Sequence, residues 1–264
     1  MGLRKPFVYN QYIEDIAKQA RAVNNPRDLE DICLKMNIAD EIFLGKVDLW
    51  LGKYALSTLY KSLKVFPKMR EEINYFGTLQ GFAALKDLVF KKYNPGLYEG
   101  IYSAMKASTD QLAVECRKMC EQNALAIAFN SDVSNFHFKG IIINGKSFSQ
   151  KSIMNDAKMS EITGFHPIGC STVKSIIDHE IGHLFDFVLN ISSSSEYRQF
   201  ISQYTVSQIS KELAKYPVME GKIDHYEVVA EAYSEFCNNK KSRKIANFIG
   251  LLIIKKYNEH FNNN

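Results

Sequence analysis

Residues 171–189, STVKSIIDHEIGHLFDFVL, constrain this chain more than any other stretch. Val173, Ile176, Ile177, Ile181, Leu184, Phe185, Val188 and Leu189 recur at helical spacing over a broad face, which predicts a helix buried in a core. Ser171 or Thr172 can cap its start, and Asn190 can end it. Yet its middle carries His179, Glu180 and His183. Burying two imidazoles and a carboxylate without partners costs several kcal/mol, so the fold has to supply partners.

A helix turns about 100° per residue, so side chains four apart point within roughly 40° of each other, one turn along. His179 and His183 therefore present two imidazoles side by side, which suits two ligands of one tetrahedral zinc ion. Glu180 points about 100° away from His179, beside such an ion rather than on it, where it can accept a proton from water. That is the mechanical content of the HExxH pattern. With 6 histidines and 17 glutamates in 264 residues, chance yields the pattern in roughly 1% of chains of this make-up. Chance matches sit in polar loops more often than inside an apolar helix. The competing reading is a pair of core histidines satisfied by hydrogen bonds.

Zinc needs a third protein ligand. A histidine or aspartate six residues after His183 would mark the metzincin pattern, but position 189 is leucine. Deformylases draw a cysteine ligand from upstream; Cys170, nine residues before His179, is too close for that role. His166, just before Pro167, reads as a loop residue. What remains is a carboxylate from a later helix. DHYEVVAEAYSEF places Glu227, Glu231 and Glu235 at i, i+4 and i+8, one stripe of a helix. Glu227 also fits the third position of a capping box begun by Asp224. The valines and alanines beside Glu231 and Glu235 argue for a buried helix whose acids need partners. The residues alone leave the ligand role open between Glu227 and Glu231.

HEIGHLFD, followed 44 residues after its second histidine by EVVAEAYSEF, resembles the gluzincin metallopeptidases. Within them it is most similar to lethal-factor-like catalytic domains, the anthrax toxin protease and small relatives that include proline-specific secreted endopeptidases. Those carry a HExGHxxD helix and then a helix of the form ExxxAEAF at a similar gap. The resemblance is specific over 172–190 and 227–236 and looser over 40–264. Carried over by position, it implies zinc as cofactor, His179, His183 and Glu227 as its ligands, and Glu180 as the catalytic base. It assigns Glu231 and Asp186 to the support of those ligands. The family places a tyrosine seven residues before the ligand glutamate to stabilise the tetrahedral intermediate, but Glu220 stands there in this chain. A small insertion in PVMEGKID would bring Tyr216 into that role, and Tyr226 is the other candidate. The resemblance also implies that an extended peptide or protein substrate pairs with an edge strand, expected at Gly140, Ile141, Ile142, Ile143 and Asn144. Similar segments occur in peptidase domains encoded by phage and mobile elements, where a catalytically silent module of a particle or toxin–effector system is the alternative.

The rest of the chain reads as α+β: a zincin-like domain, mainly helical, with a small mixed sheet of about three to four strands and additional N-terminal helices. Helices are expected over 9–23, 27–36, 38–66 (ended by Pro67), 84–93, 100–123, 196–216, 226–237 and 242–257, with strands over 72–79, 124–130 and 138–144. We expect an N-terminal helical segment, 1–37, and a metallopeptidase domain, 38–264. The net charge of +4, with both signs interspersed, gives no case for nucleic acid. The densest basic run, KKSRK at 240–244, reads as a solvated turn. Five cysteines without paired spacing favour reduced thiols. The first twenty residues hold no run of signal-peptide character, and IANFIGLLII at 245–254 is about half a membrane span. The expectation is a cytoplasmic protein, or one delivered without a classical signal peptide or associated with a virion.

Overall fold

The computed structural model describes residues 22–82, 124–133, 136–149 and 152–262, together with Val114 and Lys118. The helices expected over 9–23, 84–93 and 100–123 fall almost entirely outside these residues. The chain divides into two compact units, 1–150 and 151–264. Among the described residues it is α+β, mostly helical, with one four-stranded sheet.

In the first unit, Asn25 caps helix α1 (Pro26–Lys35), its side chain accepting from Asp28 N at 2.9 Å. The single long helix expected over 38–66 is instead strand β1 (Glu41–Phe43), a turn, and helix α2 (Leu49–Val65). Gly45 takes a left-handed φ of +58°, which a continuing helix does not allow. Asp48 then starts a new helix by accepting from Trp50 N at 2.9 Å and Leu51 N at 3.1 Å. Leu51, Ala55, Leu56, Leu59 and Leu63 form the buried face of α2, and the chain leaves the helix at Phe66, where Pro67 bars its continuation. A 3-10 turn, Pro67–Glu72, shortens the strand expected over 72–79 to β2 (Tyr75–Thr78).

Strands β3 (Ala126–Val133) and β4 (Phe136–Ile143) form an antiparallel pair, and the sheet runs β1-β2-β4-β3, with β1–β2 and β2–β4 parallel. The strand expected as an edge over 138–144 is therefore internal. Gly140–Ile143 are flanked by Tyr75–Thr78 on one side and by Ala126–Phe129 on the other. Asn144 N and Nδ2 are likewise taken, by Leu125 O and Ala124 O, both at 2.9 Å. These residues cannot add an extended peptide, because their backbone groups already have partners. The uninterrupted apolar run Ile141–Ile143, each 0% exposed, is what a strand buried on both faces requires. Tyr75, Phe82, Ile127, Phe129 and Ile142 form the core on one side of this sheet.

The second unit is all helical: α3 (Ile153–Ile162), α4 (Val173–Leu189), α5 (Ser195–Ile201), α6 (Val206–Glu212), α7 (His225–Asn238) and α8 (Lys244–Asn262). Thr172 and Ser175 cap α4 reciprocally, and Asn190 ends it in the left-handed region at φ +52°. The helix expected over 196–216 breaks between α5 and α6 because Thr205 forms a capping box with Gln208 and so begins a second helix. Among the described residues no helix is long and apolar enough to cross a membrane.

Helix α7 runs antiparallel to α4. Gly182 faces Ala230, Ser234 Oγ donates to Ser175 O at 2.8 Å, and Asn238 Nδ2 donates to Asp178 at 2.8 Å. A Cβ on Gly182 would lie 2.7 Å from Ala230 Cα, so the glycine sets how closely the helices approach. Gly182→Ala gains up to about 1 kcal/mol of helix propensity but overpacks this contact by about 1–3 kcal/mol. We expect a net loss of stability in chemical denaturation, and a variant more stable than the parent would contradict the close-approach argument.

Candidate metal centre

The antiparallel register places the first turn of α7 against the middle of α4. Asp224 caps α7, accepting from Tyr226 N at 3.0 Å and Glu227 N at 3.2 Å. The Glu227 carboxylate turns instead to the histidines. Glu227 Oε2 lies 3.2 Å from His179 Nε2 and 3.5 Å from His183 Nε2, and the two Nε2 atoms are 3.2 Å apart. A tetrahedral metal ion with bonds near 2.0–2.1 Å has ligand–ligand edges of about 3.3–3.4 Å. Three donor atoms thus already form one face of such a tetrahedron, and among the described residues they are the group of donors that could hold a metal ion. Glu227 Oε2 is also buried without a hydrogen bond, although it is this close to two imidazoles. His183 Nε2 and His179 Nε2 also stand at hydrogen-bond distance from each other, and two nitrogens and one carboxylate oxygen at these spacings fit a metal.

The other two glutamates of the stripe have different partners. Glu231, 1% exposed, accepts from or pairs with His166 Nδ1 through Oε1 at 2.7 Å, and the same oxygen lies 3.5 Å from His179 Nδ1. Glu231 thus stands behind His179, the place from which a carboxylate orients a metal-binding imidazole. Glu235, 0% exposed, meets Arg243 Nε at 3.0 and 3.1 Å and Nη2 at 2.7 Å. Arg243 is therefore no solvated member of KKSRK. A buried carboxylate draws it in.

These contacts govern protonation. Burial would lower the His179 pKa, but the Glu231 charge and the hydrogen-bonding reach of Glu227 and Glu231 hold it well above the ordinary imidazole value. Burial would raise Glu227, yet His179 and His183 hold its carboxyl well below the usual range. Glu231 is lowered in the same way, burial being outweighed by His166 and His179. In the absence of metal, these carboxylates favour a proton on His179.

Glu180 follows His179 on α4 and is buried. Tyr216 opens the 3-10 turn Tyr216–Val218, its ring centroid 6.1 Å from His179 and 5.5 Å from His166. Burial, then the charges of Glu227, Glu180 and Glu231, push its phenol well up, so it stays protonated. Tyr226, the other candidate, is 55% exposed. Asp186 Oδ1 accepts from Ser192 N at 2.7 Å, just beyond the helix; burial raises its carboxyl above the ordinary value, with the Ser192 hydrogen bond and the His183 charge acting against that rise. Cys170 Sγ sits against Ser234 Oγ at 3.2 Å, outside the donor triangle. Cys33, Cys170 and Cys237 are free thiols.

His166, read from sequence as a loop residue, belongs to the centre. The available signal was a third histidine 13 residues upstream of the HExxH pair, directly before a proline.

The metal-free cluster has a pH signature. His179 is raised on folding, so its contribution is complete below its unfolded value of about 6.5 and is lost as pH rises through the folded value. Glu227 and Glu231 are depressed, so theirs is complete above about pH 4.3 and is lost as pH falls through their folded values. Thermal melts in chelator should therefore show a melting temperature that declines above roughly pH 6.5, with the decline removed in His179→Gln; a flat wild-type profile contradicts the assignment. No protein family, curated protein or solved structure matches this chain.

Proposed function

We propose that the chain is a zinc-dependent endopeptidase of the gluzincin type, with a zincin-like helix pair at its centre. The observation that carries this reading is the triangle of His179 Nε2, His183 Nε2 and Glu227 Oε2, with edges of 3.2, 3.2 and 3.5 Å. It is supported by the resemblance of HEIGHLFD and EVVAEAYSEF to that group, residue by residue. Two nitrogens and one carboxylate oxygen are a donor set suited to zinc with a position left open. Zinc bound there supplies a Lewis acid that acidifies water and polarises a peptide carbonyl.

The remaining roles fall to side chains. Glu180, next to His179 and close enough for its charge to act on Tyr216, takes the proton of the attacking water and delivers it to the leaving amine. Tyr216, kept protonated by burial and by three carboxylates, donates a hydrogen bond to the carbonyl oxygen as that oxygen gains charge. Glu231 holds His179 in the orientation that presents Nε2. The substrate is a peptide or protein, bound elsewhere than along Gly140–Asn144.

Glu180→Gln keeps the shape and removes the base. We expect bound zinc in both proteins by elemental analysis, and cleavage of a diverse peptide library reduced about 10²–10⁴-fold in the variant. Zinc in both with no cleavage by either would favour a non-catalytic metal module, and a metal-free wild type would remove the metal reading.

The ligand assignment has its own test. Glu227→Ala is expected to abolish stoichiometric zinc, whereas Glu231→Ala should retain zinc with affinity weakened about 10–100-fold. Chelator competition measures both, and the reverse order would reassign the third ligand to Glu231.

A further inference from the structure

The segment 163–170, between α3 and α4, is tied down on several sides. Phe165 N and His166 N both donate to Ser160 O, at 2.8 and 3.2 Å, and Gly169 N donates to Glu161 Oε1 at 2.8 Å. Lys215 N and Tyr216 N donate to Gly164 O and Phe165 O, at 3.0 and 3.1 Å, so this segment also holds the turn that carries Tyr216. The His166 ring is packed edge-on against Phe165 at 5.1 Å and tilted against Tyr216 at 5.5 Å. Its Nδ1 then reaches Glu231 Oε1 at 2.7 Å, the oxygen that faces His179 Nδ1.

We propose that His166 is a positioning residue of the metal centre, acting through Glu231 to fix the ring orientation and tautomer of His179. The inference rests on the zinc reading above. A carboxylate oxygen 3.5 Å from His179 Nδ1, a buried atom with no hydrogen bond of its own, favours the tautomer with the proton on Nδ1 and the lone pair on Nε2, which is the form a metal ion needs. Glu231 alone can rotate about its own side-chain torsions. The His166 contact at 2.7 Å, from an imidazole fixed by backbone and ring contacts, removes that freedom. The same imidazole lies against Tyr216, so one residue bears on His179, through Glu231, and on the Tyr216 ring.

The test compares full-length wild type with His166→Ala, His166→Asn and His166→Gln. The asparagine amide can place an N–H near the Nδ1 position, and the glutamine amide reaches the Nε2 position instead. Each protein is checked for folding by far-UV circular dichroism, loaded with cobalt(II) for its visible spectrum, and titrated with zinc against a chelator. We expect His166→Ala to bind zinc about 10–100-fold more weakly and to alter the cobalt spectrum, His166→Asn to recover most of the affinity, and His166→Gln to resemble His166→Ala. A residue that merely satisfies a buried carboxylate would change stability and leave the spectrum and the affinity alone. The proposal is overturned by a folded His166→Ala with wild-type affinity and spectrum, or by an asparagine variant no better than glutamine. If His166→Ala does not fold, the asparagine–glutamine comparison decides by itself. Wild type that takes up no metal overturns this inference together with the metal reading, whereas wild type that binds metal without cleaving peptides removes only the endopeptidase assignment.

Discussion

Glu227, Glu231 and Glu235 stand one helical turn apart on α7, on the side that meets the rest of the helical unit. Carboxylates drawn out of water in this way need opposite charge or a metal, since an unpaired one costs several kcal/mol. Each finds its own partner: Glu227 the pair His179 and His183, Glu231 the pair His166 and His179, Glu235 the guanidinium of Arg243. Those pairings are satisfied in one register of α7 along α4, because a shift by one residue would rotate every acid about 100° off its partner. The Gly182–Ala230 approach makes that register sterically reachable, and the charges make it specific.

The same pairings reach past the two helices. Arg243 meets Glu235 and also donates to Lys211 O at 3.2 Å and to Leu213 O, carbonyls left over at the C-terminal end of α6. His166 brings in the segment after α3, and with it the turn of Tyr216. Residues far apart in the chain are thus assembled around α7 by a few polar contacts, while Val173, Ile177, Leu184 and Phe185 on α4 and Val228 and Val229 on α7 supply the apolar burial. Hydrophobic contact brings the helices together, and polar contact decides how they align.

What could be read from the sequence follows this division. The α4 helix, its caps and its HExxH face are local, written in spacing and end residues, and the structure has them where spacing puts them. The glutamate stripe is equally local, but which acid faces which imidazole depends on the register between two helices, and spacing alone left Glu227 and Glu231 equivalent. The partners of His166 and Arg243 were not legible because they lie 65 and 8 residues away and are acids whose burial the sequence does not state. Two errors in the other unit have local causes. Ile38, Ile42 and Leu44 carry apolar spacing that a helix and a strand can share, and Gly45 with Asp48 decided against the long helix. Ile141–Ile143 is apolar at every position, which fits a strand covered on both faces better than an edge.

The protonation of the cluster bears on how a metal would enter it. Without an ion, His179 keeps a proton because Glu231 and Glu227 favour the charged ring over the cost of burial. The three donor atoms stand within 3.5 Å of one another, the two imidazole nitrogens at hydrogen-bond distance. On the proposed zinc reading, an ion would take the place of that proton among donor atoms already spaced like the edges of a tetrahedron. On that reading the acids of α7 serve the centre in both states: without the ion they favour the proton on His179, and with it they would supply one ligand and the group that aligns another.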